Sequence, residues 1–225
     1  MTPPAFVDLS HAIENGMITF PGLPGPIICD YLSREASRGR YAPGVEFQIG
    51  KIEMVANTGT YLDSPFHRYA DGKDLAQLSL DSLADLDAIV VRVPHGQTLA
   101  VTRRAFEGLQ LKGKAVLVQT GWDVYWGTAA YLSGNPFLTA DAAEYLVEQG
   151  VALVGIDSLN IDDMRDPARP VHSTLLGAEV PIVEHMCNLA NLPARGFRFY
   201  AVPAKVAGMG TWPVRAFGVT TASAE

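Results

Sequence analysis

Val151-Ala-Leu-Val-Gly155-Ile156 runs straight into Asp157-Ser-Leu-Asn160-Ile-Asp162. A short apolar run of this kind suits a strand buried on both faces, and such strands are characteristic of sheets covered by helices. The stretch before it supports that reading. Thr139 is placed to cap a helix over Ala140–Gln149, with Gly150 at the stop. Moving outward, Ala88–Val93 (AIVVRV) and Ala115–Thr120 (AVLVQT) repeat the buried-strand pattern, and Thr102 can cap a helix over Arg103–Leu109. Strands alternating with helices through the middle of the chain predict an α/β domain. Toward the ends the pattern changes. Val45–Ala56 alternates apolar and polar residues, which predicts a half-buried strand bent at Gly50. Phe197–Val206 and Val214–Thr220 predict two more strands around a glycine-rich turn holding Gly208, Gly210 and Pro213. The expectation is a mixed sheet with a helical layer.

Composition narrows the classes of function. The 225 residues are 48% hydrophobic and 18% charged, enough apolar material for a large core. No repeat, linker or charge block divides them, so one domain over residues 1–225 is expected. With 21 Gly and 15 Pro, many tight turns join short elements. A net charge of −7 argues against a nucleic-acid partner, which would need cations for its phosphates. Cys29 and Cys187 match neither a disulfide framework nor a zinc-ribbon spacing. The start of the chain lacks a basic region followed by an apolar run, and no apolar run reaches the length of a membrane span. A soluble protein of the cytoplasm is expected.

The chemistry-bearing residues fall in two stretches. The first is Asn57-Thr-Gly-Thr-Tyr61-Leu-Asp63-Ser-Pro65-Phe-His67. Gly59 and Pro65 predict a tight turn and then an extended segment, a stiff frame for Asp63 and His67. An Asp in such a loop ordinarily makes an Asx-turn, and a single His is ordinarily packed or solvated. The second stretch adds weight: Asp157 and Asp162 at the mouth of an apolar strand are followed by His172 and Glu184. Cys187 reads as a small core residue rather than a nucleophile. His95 reads as a surface turn residue, and His185 as a solvated neighbour of Glu184. The Gly208–Gly210 turn has no following Lys-Ser/Thr and is no P-loop.

Taken together, these landmarks resemble the cyclase family of metal-dependent hydrolases, whose members include kynurenine formamidases and isatin hydrolases. The resemblance runs from Val7-Asp-Leu-Ser-His11 and Phe20-Pro21-Gly22 through Thr120-Gly-Trp122-Asp123 and Tyr125-Trp126 to Phe199-Tyr-Ala-Val202-Pro203 and Pro213-Val214-Arg215. The family signature is H-x-G-T-H-x-D-x-P-x-H. This chain keeps Gly59, Thr60, Asp63, Pro65 and His67, and carries Asn57 and Tyr61 where the family has histidines. The resemblance implies the swivelling β/β/α fold, a dimer or tetramer, and hydrolysis of a linear or cyclic amide of a small, aromatic-type compound. It also implies a principal ion held by the two histidines that are replaced here together with the position of Asp63, and a second ion at Asp63, His67, His172 and Glu184.

Exchanging two imidazoles for an amide and a phenol removes good nitrogen donors for Zn²⁺ or Mn²⁺, so the principal site as the family builds it is not expected to function. Three outcomes stay open. One divalent ion, Zn²⁺ or Mn²⁺, sits at Asp63, His67, His172 and Glu184. Alternatively the site is metal-free, with His67 or His172 as a base beside Asp63 or Glu184 and Tyr61 donating to an oxyanion. Or the chain is a non-catalytic relative that binds a small molecule. Asn57, Tyr61, Phe20 and Trp122 are the candidate substrate contacts, with Trp126 a further aromatic. His11 belongs near the site or at a subunit contact.

Overall fold

The computed structural model describes residues 5–220; Met1–Pro4, part of the segment read above for a leader, lie outside them. Thirteen strands form in chain order: β1 (Ala5–Asp8), β2 (Ile27–Leu32), β3 (Ile49–Glu53), β4 (Tyr61–Asp63), β5 (Leu86–Arg92), β6 (Ala100–Val101), β7 (Ala115–Gln119), β8 (Phe137–Leu138), β9 (Leu153–Ile156), β10 (Ile182–Glu184), β11 (Arg195–Tyr200), β12 (Thr211–Pro213) and β13 (Phe217–Thr220). Three helices accompany them, α1 (Arg34–Ser37), α2 (Ala140–Glu148) and α3 (Pro170–Gly177). Nine strands make one sheet in the order β1-β13-β11-β5-β7-β9-β10-β4-β12. Within this sheet the β5-β7-β9-β10 block is parallel and the other pairings are antiparallel, so the fold is a mixed α/β one.

The parallel block explains why its strands read as continuous apolar runs. Successive side chains alternate between faces. In β7, Val116 and Val118 join Val154, Ile156 and Ile182 against Ala143 and Leu146 of α2 and Leu175 and Leu176 of α3. Ala115 and Leu117 face the other way, onto Ala88, Leu153, Val183, Phe197 and Phe199. Both faces are therefore dry, and the strands end near where the expectation put them. The helix α2 also forms as expected, with Gly150 in the left-handed region (φ 68°) at its end.

Three expectations are corrected. The segment 103–109 is not a helix: Arg103–Ala105 makes a single 3₁₀ turn, and Gly108 at φ 78° reverses the chain. The reversal carries Leu111 into the core, leaving too few residues to recover the cost of helix nucleation. The Phe197–Val206 strand stops at Tyr200, three residues short of Pro203, which has no N–H for a ladder. Finally, the Val45–Ala56 strand is shorter, and it is exposed rather than half-buried: every residue of β3 faces solvent. It pairs only with β2, in a ribbon outside the main sheet, and the register slips between Asp30 and Leu32 opposite Gly50 and Ile49. Alternation signals a face to be covered, and among the described residues nothing covers this one.

The short β12 decides the site. It lies beside β4, Thr211 opposite Asp63, and Ser64 N–H donates to the Gly210 carbonyl at 2.7 Å. That approach exists because position 210 has no side chain: a Cβ there would lie 2.5 Å from the Cα of His67. Replacing Gly210 with Ala is expected to lower stability by about 1–3 kcal/mol, the usual cost of forcing an extra methyl into packed backbone. Urea unfolding of G210A against the wild-type chain measures it.

Candidate active site

Asp63 ends β4, between β10 and β12, and its side chain has no solvent exposure. Thr211 Oγ1 donates to its Oδ1, while Oδ2 has no hydrogen-bond partner. Around that oxygen the predicted groups assemble. His67, on the 3₁₀ turn Pro65–His67, brings Nδ1 to 3.7 Å from Asp63 Oδ1. His172, on the first turn of α3, brings Nε2 to 3.8 Å from Asp63 Oδ2 and 3.7 Å from Glu184 Oε1. Asp63, His67 and His172 each offer a ligand atom within 4.8 Å of the others. Groups scattered over more than a hundred positions of sequence thus converge on one point.

The hydrogen bonds occupy one nitrogen of each imidazole. Thr211 gives its only proton to Asp63, so at 2.8 Å from His67 Nδ1 it accepts from that nitrogen. His172 Nδ1 donates to Asp162 Oδ2 at 2.6 Å. Asp162 also accepts the backbone N–H groups of Val171 (2.7 Å) and His172 (3.0 Å), so it secures the start of α3 and the imidazole together. In the neutral form of each imidazole Nε2 is thereby the lone-pair nitrogen, whereas protonated His172 carries a proton there too. Burial alone would lower the His172 pKa, but Asp162, Asp63 and Glu184 raise it to about 10. Burial would raise Asp63, yet His67 and His172 hold it below the ordinary carboxylate range. This cluster of acids calls for positive charge at its centre, supplied by an imidazolium or by a cation.

Glu184, at the end of β10, is committed on both oxygens. Ile161 N–H donates to Oε1 at 2.6 Å and Tyr61 O–H to Oε2 at 2.7 Å. Burial raises its pKa to about 7. Behind it a directional chain continues. His185 Nε2 lies 3.2 Å from the Tyr61 oxygen, and Tyr131 O–H lies 2.9 Å from His185 Nδ1. Since Tyr61 spends its proton on Glu184, His185 donates from Nε2 and accepts at Nδ1 from Tyr131, so it is neutral. Burial accordingly pulls its pKa down to about 3. His185 is therefore not the solvated residue expected from sequence but a fully buried one, because β10 carries it inward at φ 55°.

A cavity of about 410 Å³ opens onto this cluster. It is lined by Phe20, Pro21, Gly22 and Leu23, by Asn57, Tyr61, His67, His172 and Glu184 of the cluster's surroundings, and by Arg68, Asn160 and Arg169. Among the candidate substrate contacts, Phe20, Asn57 and Tyr61 line the cavity. Trp122 does not: it packs on Tyr131 and Leu159 and donates from its indole to the Tyr131 carbonyl at 3.1 Å. Trp126 stacks on His11 at 3.9 Å between ring centroids, beside a second cavity. The His11 N–H donates to Thr60 Oγ1, which places that stretch behind β4. His95 is half-buried, with Nδ1 3.0 Å from the Thr120 carbonyl. Cys187 is buried, and burial pushes its thiol up to about 12.

Sequence reasoning noticed Asp157 and Asp162 without giving either a task. Asp157 accepts from Thr120 N–H, Thr120 O–H and Gly121 N–H, tying the ends of β7 and β9 together. Asp162 orients His172. Thr211, Arg68, Arg169 and Asn160 went unnoticed, since no local spacing links them to Asp63 or to each other.

Over residues 7–163 the sequence matches the putative cyclase family, and the chain belongs to that family. It is 26% identical to the kynurenine formamidase of Bacillus cereus (strain ATCC 14579) over 212 residues, covering 94% of this chain and 95% of that one. The kynurenine formamidase of Bacillus anthracis is 25% identical over the same coverage. Among solved structures, isatin hydrolase A from Labrenzia aggregata bound to benzyl benzoate superposes with a TM-score of 0.83 at 22% identity, covering 97% of this chain and 94% of that one. A structure described as a potential metal-dependent hydrolase with cyclase activity gives 0.78 at 23% identity, covering 98% and 100%. These likenesses fix the fold.

His185 makes a pH prediction. Its folded pKa of about 3 lies below the ordinary 6.5, so the unfolded chain takes up the proton first as pH falls. Its contribution to stability is complete above about pH 6.5 and is lost progressively below it, reaching about 2 kcal/mol at pH 5. Denaturant unfolding at pH 7.5 and 5 should show a smaller acid loss in H185N than in the wild-type chain.

Proposed function

We propose that the protein hydrolyses a linear or cyclic amide of a small compound, using one divalent ion, Zn²⁺ or Mn²⁺, held by Asp63, His67 and His172. The observation that carries this reading is Asp63 Oδ2, a fully buried carboxylate oxygen with no partner, 3.8 Å from His172 Nε2 and grouped with His67 and His172 so that one ligand atom of each lies within 4.8 Å of the others. Leaving such an oxygen unpaired is costly, and two imidazoles with a carboxylate are a suitable donor set for either ion. An ion bound there supplies Lewis acidity to a carbonyl oxygen and lowers the pKa of water from about 15.7 to about 7. The kynurenine formamidase and isatin hydrolase likenesses favour C–N bond hydrolysis.

The chain's own groups have separate tasks in this reading. Glu184, raised to about 7 and beside the cluster, accepts the proton of the attacking water and returns it to the departing nitrogen. Water oxygen bonds to the carbonyl carbon, the C–N bond breaks, and a carboxylic acid and an amine result. Tyr61 fixes the Glu184 carboxylate by donating to Oε2, and burial with the Glu184 charge keeps its phenol protonated, its pKa well above the ordinary value. Asp162 holds His172 in the tautomer that presents Nε2. Phe20 and Leu23 take the apolar body of the substrate.

H172A is expected to lose activity and bound metal together, whereas E184Q keeps the metal and loses about 10²–10⁴-fold in kcat. Elemental analysis of protein purified without chelator, beside amide-hydrolysis assays, tests both. A metal-free chain that still turns over would replace this reading with His172 acting as a base.

We further propose that a second copy of the chain covers the β2–β3 ribbon, where Ile27, Ile28, Tyr31, Ile49 and Ile52 are exposed. Ile28 and Ile52 are cross-strand partners on one face of this ribbon, and paired apolar exposure of this kind marks an interaction surface. Light scattering should give a dimer or tetramer for the wild-type chain and a smaller species for the double variant I28K/I52D. Both cysteines are free, which suits a reducing compartment such as the cytoplasm.

A further inference from the structure

The chain carries a net charge of −7, yet two arginines, Arg68 and Arg169, line the same cavity as Phe20 and Leu23. Neither Arg68 nor Arg169 forms an ion pair within 4.0 Å among the described residues; the Asp163 carboxylate near Arg169 is taken by Arg165 at 2.7 Å. Neutral contacts hold both in place instead. Arg68 Nε donates to Ser173 Oγ at 3.1 Å and its guanidinium rests over the Tyr69 ring, 5.1 Å from the centroid. Arg169 Nη1 donates to the Asp163 carbonyl at 3.2 Å. These bonds fix the guanidinium groups without neutralising them and leave further N–H donors on each.

Arg169 is also strained. Its backbone is left-handed, at φ 47° and ψ 58°, directly before Pro170. A non-glycine residue held there costs stability, and glycine would sit there freely. Conformation therefore argues for glycine, and the side chain must supply the reason for arginine. Guanidinium groups match carboxylates through two parallel N–H donors.

Building on the site reading above, we propose that Arg68 and Arg169 form an anion subsite that selects substrates bearing a carboxylate on an apolar body. The apolar part packs on Phe20 and Leu23 and the carboxylate meets the guanidinium wall, which directs the remaining functional group toward Glu184 and His172.

Calorimetric titration of benzoate and its neutral counterpart benzamide, into Mn²⁺-loaded and chelator-treated protein, tests this. Benzoate should bind at least tenfold more tightly than benzamide in both forms. R169Q should weaken benzoate at least tenfold and leave benzamide within twofold, and R68Q should act in the same direction. R169G should lose the same preference while melting no lower than the wild-type chain, which separates anion binding from folding. The subsite is overturned if benzoate binds no better than benzamide, if the variants weaken both probes alike, or if the preference disappears with the metal. A protein that discriminates the probes but hydrolyses no amide overturns the proposed reaction and leaves the subsite standing. One that hydrolyses amides without discriminating overturns the subsite alone.

Discussion

The carboxylate of Asp63 sits at the centre of this molecule's polar interior, and the surrounding structure is organised around the difficulty of keeping it there. It has no access to water, and one of its oxygens has no donor. Such a group is tolerated only where positive charge is close. His172 and His67 provide for that from two directions, and each is held by a further residue, Asp162 for one and Thr211 for the other. The arrangement is a set of linked donors and acceptors in which every proton is assigned except at the gap facing Asp63 Oδ2.

That network depends on pieces of backbone brought together by the sheet. The parallel block β5-β7-β9-β10 is the rigid part, dry on both faces, and it delivers Asp157 and Glu184 at neighbouring strand ends. Asp157 clamps the ends of β7 and β9, Asp162 starts α3, and β4 and β12 close the far edge. The glycine at 210 matters as much as any charged residue, because the backbone at His67 occupies the space a side chain would need. Strain is retained where it serves the site: Arg169 and His185 both hold left-handed backbone conformations that ordinary side chains avoid.

The two replaced signature positions gain a physical meaning from the structure. Tyr61 faces Glu184 and donates to it, and its oxygen in turn accepts from His185. A phenol in this position changes a carboxylate from a candidate ligand into a group with both oxygens satisfied inside the protein. Asn57 lines the cavity with Tyr61, His67, His172 and Glu184. The donor set is therefore smaller than the full family signature would supply, and it is centred on Asp63, His67 and His172.

The sequence by itself determined three strands of the parallel core, β5, β7 and β9, and the helix α2, because strands buried on both faces must be continuously apolar and a helix must end where its chain can reverse, as at Gly150. It also marked Asp63, His67, His172 and Glu184, since ionisable groups beside glycine- and proline-bound turns stand out from an apolar background. Only the tertiary structure decided the rest. Alternation in β3 predicts a covered face but not which molecule covers it. His185 reads as a polar residue until the neighbouring strands enclose it. Thr211, Asp162 and the two cavity arginines acquire their tasks solely through contacts with residues distant in the chain, and contacts of that kind leave no period or spacing in a single sequence.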